Sequence, residues 1–169
     1  MEVTTLILCI TALALFGCSS DPEKPAAIEK PVVVQEPPPK AAPLSVEINM
    51  VVSEQVNPDL NGRPSPVVIR IYELKNLGKF EEASFDQLVE NEAAYLGSEL
   101  IGSEQYHSNP GDVKKIKRIL SVDTRYLAVS AAFRDINQAI WKDSIELTDE
   151  KITDLFILID KLKIRIRKK

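Results

Sequence analysis

Leu44-Ser-Val-Glu-Ile-Asn-Met-Val-Val52 is apolar at every even position, while Ser45, Glu47 and Asn49 point the other way. A period of two marks a strand with one face on a core. A second run, Val67-Val-Ile-Arg-Ile-Tyr-Glu-Leu74, is apolar on both faces and reads as a central strand. Downstream, Leu127, Val129, Ala131 and Phe133 alternate with small or polar neighbours. Trp141, Ile145 and Leu147 do the same against Lys142, Ser144 and Glu146, although Asp143 interrupts the apolar face. Asp135-Ile136-Asn137 between these runs reads as a hairpin turn. The C-terminus supplies one or two strands, from the apolar Leu155–Ile159 and from Leu162, Ile164 and Ile166 alternating with Lys163, Arg165 and Arg167. Residues 99–122 carry a weaker signal, expected to be two short strands around the turn Asn109-Pro110-Gly111.

A different pattern interrupts the strands after Leu74. Ser84-Phe-Asp-Gln87 has the form of a capping box, in which Ser84 and Gln87 satisfy each other's free backbone N–H groups. Phe85, Leu88, Val89 and Leu96 then fall near one helical face, and Gly97 is a natural stop. The expected fold is therefore mainly β, a two-sheet sandwich with a short helical insertion between strands two and three.

Charge and cysteine usage narrow the function classes. With 25 acidic and 21 basic residues the net charge is -4, which offers no basic field for nucleic acid. Both cysteines, Cys9 and Cys18, precede the strands, so neither a disulfide nor a cysteine metal site can hold the folded part. A hydrophobic core must do so, and residues 44–169 suffice to bury roughly two-thirds of the unfolded surface.

The chain opens with the apolar run Leu6–Phe16, too short to span a bilayer, which needs about 20 apolar residues. It fits a signal peptide over residues 1–17. Residues 19–43 hold seven of the eleven prolines and no aromatic residue. Pro37-Pro38-Pro39 favours polyproline II, so residues 18–43 are expected to form a semi-extended tether and residues 44–169 the folded domain.

Little in the chain points to catalysis or metal binding. His107 is the single histidine and stands beside no nucleophile motif. The pairs Glu81-Glu82 and Asp149-Glu150 lie in loop-like sequence, where solvated charge is the usual state. Six glycines form no phosphate-binding loop, so a non-enzymatic protein without metal or cofactor is expected. Two features suit a partner. Ser53–Pro64 is long for a hairpin connection, and Pro58, Pro64 and the Asn61-Gly62 turn stiffen it. Its plain alternative is a crossing between the sheets. The basic row Lys161, Lys163, Arg165, Arg167, Lys168 and Lys169 suits anionic headgroups or an acidic partner, but such a row is more often the solvated face of an edge strand.

Leu15-Phe16-Gly17-Cys18 resembles a bacterial lipobox, with a bulky Phe16 and, upstream, Glu2 in place of a basic residue. An ordinary cleaved signal with an incidental cysteine is the competing reading. Val56-Asn-Pro-Asp59, Gly62–Val68 leading into Arg70-Ile-Tyr-Glu-Leu74, Leu96-Gly97, Pro110-Gly111, and Ala131-Ala-Phe-Arg134 before Trp141 resemble, in order and spacing, the TssJ (SciN-like) lipoproteins of type VI secretion. The resemblance implies a transthyretin-like sandwich, no catalysis, and diacylglycerol and N-acyl lipid on Cys18, with Ser19 favouring the outer membrane. It further implies a domain facing the periplasm that recruits the C-terminal periplasmic region of TssM, with TssL in the same envelope complex. The partner-binding loop then maps onto Asn57, Pro58, Asp59, Leu60, Asn61, Gly62, Arg63 and Pro64. A small-molecule or glycan-binding lipoprotein is the alternative from another class.

Overall fold

The computed structural model describes residues 43–147 and 154–169. The signal segment, Cys18, the tether up to residue 42 and the Asp149-Glu150 pair lie outside the described residues. The elements run β1 (Ser45–Val52), β2 (Val67–Leu74), α1 (Gly78–Glu82), α2 (Phe85–Glu90) and α3 (Glu92–Leu96). They continue as β3 (Leu100–Ser108), β4 (Val113–Ile119), β5 (Tyr126–Ala132), β6 (Lys142–Glu146), β7 (Asp154–Asp160) and β8 (Lys163–Lys168). Two four-stranded sheets result, ordered β4-β1-β7-β8 and β3-β2-β5-β6. Among the described strands, β1 and β7 pair parallel and the other neighbours antiparallel. The mainly β sandwich with its helical insertion between β2 and β3 is thus as the alternation implied.

Strand parity explains the core. Val46, Ile48, Met50 and Val52 of β1 are buried, and their even-numbered row meets Ile69 and Ile71 of β2 across the sandwich. On β2 the opposite row is buried as well, because Tyr72 and Leu74 lie beneath the helical insertion with Phe80, Leu88, Leu96 and Ala128. Two cores on the two faces of one sheet account for a strand that is apolar on both faces.

The structure corrects three expectations in detail. The turn at Asn109-Pro110-Gly111 separates two strands as expected and crosses from one sheet to the other, because β3 pairs with β2 and β4 with β1. Its flanking strands have nine and seven residues and are not short. The single helix expected from Phe85 to Leu96 is broken at Asn91 (φ -153°), which resets the helical phase and leaves Val89 exposed. β5 and β6 pair as expected but are joined by the longer segment 133–141, whose Ile140 bridges to Lys163.

Charged groups close both seams between the sheets. On one side Arg118 of β4 reaches Glu73 at 3.3 Å and Glu104 at 3.4 Å, while Lys114 donates to Ser108 at 3.1 Å. On the other, the Asp143 carboxylate of β6 accepts from the Ile166 N–H at 3.0 Å and from Arg167 at 2.9 Å. The residue that broke the apolar alternation of β6 is therefore the link to β8.

Candidate functional site

β1 delivers the chain at Val52 into the connection 53–66, which the β2 strand takes up again at Val67. Val56 is fully buried and anchors the loop's root in the sandwich core. Asn57 adopts φ 50°, a left-handed conformation that asparagine tolerates better than most residues. Its N–H donates to Lys161 O at 2.7 Å and its side-chain NH2 to Pro66 O at 2.7 Å. Its side-chain oxygen accepts from the Arg134 N–H at 2.7 Å. Asn57 thus ties the loop through its side chain to the β5–β6 segment and through its backbone to the β7–β8 turn. Asn57 was expected to face a partner. Its side chain is instead committed inside the protein, only 2% exposed.

Asp59 organises the tip. One carboxylate oxygen accepts from the N–H groups of Asn61 at 2.8 Å and Arg63 at 2.9 Å. The other receives the Arg63 guanidinium at 2.8 and 2.7 Å. The Asp59 N–H donates to Arg63 O and the Gly62 N–H to Asp59 O, both at 2.9 Å, with Gly62 at φ 76°. The backbone N–H of Arg63, followed by its guanidinium, holds the Asp59 carboxyl below its usual carboxylate range. This closed ring of bonds pushes Leu60 outward, where it is 106% exposed, and leaves Asn61, Gly62, Arg63 and Pro64 exposed beside it. A large apolar side chain held clear of the protein on a braced tip can enter a partner's pocket with little entropy left to lose on binding.

Beside the tip lies an open groove of about 560 Å³, lined by Pro58 to Asn61, by Arg134 and Asp135, and by Leu162. Strand pairing alone brings these three segments together, so the sequence could single out the loop but not Asp135 or Leu162. No aromatic ring lines the groove. His107 lies exposed on β3, its ring 3.1 Å from the Gln105 side chain. The basic row falls on and around β8, the last strand in the order of its sheet.

Residues 44–169 match the family model described as type VI secretion lipoprotein, VasD, EvfM, TssJ. The chain belongs to that family. Among solved structures, this TssJ-family lipoprotein is similar to TssJ1 from Pseudomonas aeruginosa, at 29% identity and a TM-score of 0.73 over 75% of this chain and 97% of that one. It is also similar to Lip of Serratia marcescens, described as a membrane-bound component of the type VI secretion system. There the identity is 25% and the TM-score 0.68, over 75% of this chain and 98% of that one. The fold is shared with a structure described as the TssM C-terminal domain from EAEC, at 20% identity and a TM-score of 0.61, covering 74% of this chain and 98% of that one. No curated protein matches the chain.

Proposed function

We propose that this lipoprotein is a non-catalytic link at the periplasmic side of the outer membrane, acylated on Cys18 and gripping the C-terminal periplasmic domain of TssM with the tip of the loop 53–66. TssL would join through TssM. Each methylene buried in the bilayer contributes about 0.8 kcal/mol, so the several acyl chains of a processed lipoprotein make a lasting anchor. The proline-rich residues 19–43 then give the domain a reach of several tens of ångströms, at roughly 3.1 Å per extended residue.

The observation that carries the reading is the fully exposed Leu60, held on a tip braced by Asp59 and rooted by Asn57. Family membership supports TssM as the partner, and one structure sharing the fold is described by that domain's name. A glycan platform usually displays aromatic rings, which the groove lacks.

Calorimetry with the TssM fragment tests the docking part. Leu60→Asp should weaken binding at least tenfold while thermal unfolding stays unchanged, because the side chain touches nothing in the free protein. Full affinity in both Leu60→Asp and a chain with Asp59–Pro64 shortened would place the contact elsewhere. Cys18→Ser tests the anchor: the chain should leave the membrane fraction, and secretion should stop.

A further inference from the structure

The outward face of the sheet β4-β1-β7-β8 has an order that the loop reading does not use. The register aligns Val113, Val51, Leu158 and Arg165 in one row across the four strands, and Lys115, Asn49, Phe156 and Arg167 in the next. Val113 is 71% and Leu158 44% exposed, with Val51 and Phe156 half-buried between them. The middle of the face is therefore apolar, and cations stand on both flanks: Lys115 and Lys117 on β4, Lys163 and Arg165 on β8, with Arg167 turned to Asp143 at the seam. Among the described residues, three carboxylates share the face. Glu47 is paired with Lys115 and Lys117, Asp154 lies within 3.7 Å of Lys169, and Asp160 stands opposite Lys163.

The far side of the molecule has the opposite charge. The helical insertion covers the outer face of the other sheet, and residues 78–99 carry Glu81, Glu82, Asp86, Glu90, Glu92 and Glu99 against Lys79 alone. A chain of net charge -4 thus sets cations on both sides of one apolar strip. An apolar centre inside a basic rim fits the boundary between acyl chains and anionic headgroups, where burial and charge attraction add. An acidic opposite face, repelled by the same headgroups, sets the orientation.

We propose that the outward face of β4-β1-β7-β8 rests against an anionic phospholipid surface, so that the domain lies on the membrane with its acidic helical side turned away. The proposal rests on the reading that lipid on Cys18 keeps the domain at a bilayer, and the two can fail separately. Flotation with vesicles of phosphatidylcholine alone reports the anchor, which is indifferent to headgroup charge.

The face is tested with the full acylated chain in vesicles of phosphatidylcholine, with or without phosphatidylglycerol, by amide hydrogen exchange. Exchange in Val113–Ile119 and Lys163–Lys168 should slow several-fold only where phosphatidylglycerol is present, and return to the phosphatidylcholine rate in high salt. Exchange in Phe85–Glu90 should not change. Lys117→Glu with Arg165→Glu, both at exposed positions, should abolish the difference. Equal exchange in the two vesicle types would overturn the proposal. So would protection that grows with protein density in phosphatidylcholine alone, which would give the face to a second copy, or protection that appears only on adding the TssM fragment, which would give it to a protein partner.

Discussion

Asn57 and Asp59 stand two positions apart in one loop and do different work. Asn57 faces inward, where its amide serves the Pro66 carbonyl at the loop's far end and the Arg134 N–H of a distant segment, and its backbone takes φ 50°. Asn57→Ala removes both partners and keeps the left-handed strain, and a buried unsatisfied group costs about 1–3 kcal/mol. A lower thermal midpoint is expected, together with weaker TssM binding as the tip loses its root. Asp59 faces the tip and acts through its charge. Its carboxyl is held below the usual value of 3.8 by Arg63, so its bracing of the tip is complete above that value and is lost as pH falls through the lower, folded-state value. Loop rigidity should therefore be flat through neutral pH and drop only in acid, and Asp59→Asn should bring the acid behaviour to neutral pH. Backbone NMR relaxation across 59–64 checks both.

Among the elements, the helical insertion has the least support of its own. α1, α2 and α3 span five, six and five residues, too short to be stable alone, so they depend on caps and on the cluster around Tyr72 and Phe80. Ser84 closes the capping box with Gln87 at 3.3 and 2.9 Å. Lys142 of β6 donates to the carbonyls of Phe80, Glu81 and Ala83 at 2.9, 2.7 and 2.8 Å, serving the open C-terminal end of α1. Its ammonium also lies 4.9 Å from the Trp141 ring. Burial pulls the Lys142 pKa below the ordinary lysine value, while three carbonyl acceptors call for the three donors of an ammonium group. Ser84→Ala should cost about 1 kcal/mol. Lys142→Met should cost about 1–2 kcal/mol, since the charged hydrogen bonds are partly solvent-screened. Hydrogen exchange in 78–96 should rise in both variants ahead of exchange in the sandwich.

For the whole molecule, the register sets how load is carried. Ser45 and the loop 53–66 lie at opposite ends of β1, about 25 Å apart at roughly 3.3 Å per residue. β1 is already extended and is hydrogen-bonded on both sides, to β4 and to β7, so tension between its two ends runs along its own backbone and separates no strand pair. The C-terminal end of β8 lies at the Ser45 end of the sheet, because Leu155 pairs with Lys168 and Glu47 with Asp154. Pulling between residues 45 and 169 would instead peel β8 away one pair at a time. Single-molecule pulling between residues 45 and 60 is therefore expected to resist the higher force, and equal forces would remove the mechanical argument for this fold as a link.

By itself, the order of side chains determined the strands with one buried face, the capped start of a helix at Ser84 and the stiffness of the 53–64 loop, because each depends on neighbours a few residues apart. Only the tertiary structure decided that Asn109-Pro110-Gly111 crosses between sheets and that Asn57 turns inward. It also decided that Asp143 joins β6 to β8, and that Asp135 and Leu162 share a groove with Leu60. Each of these depends on which strands lie side by side, and that pairing is set by how two sheets and a helical cover jointly exclude water. Local alternation is identical under either pairing, so it cannot carry that choice.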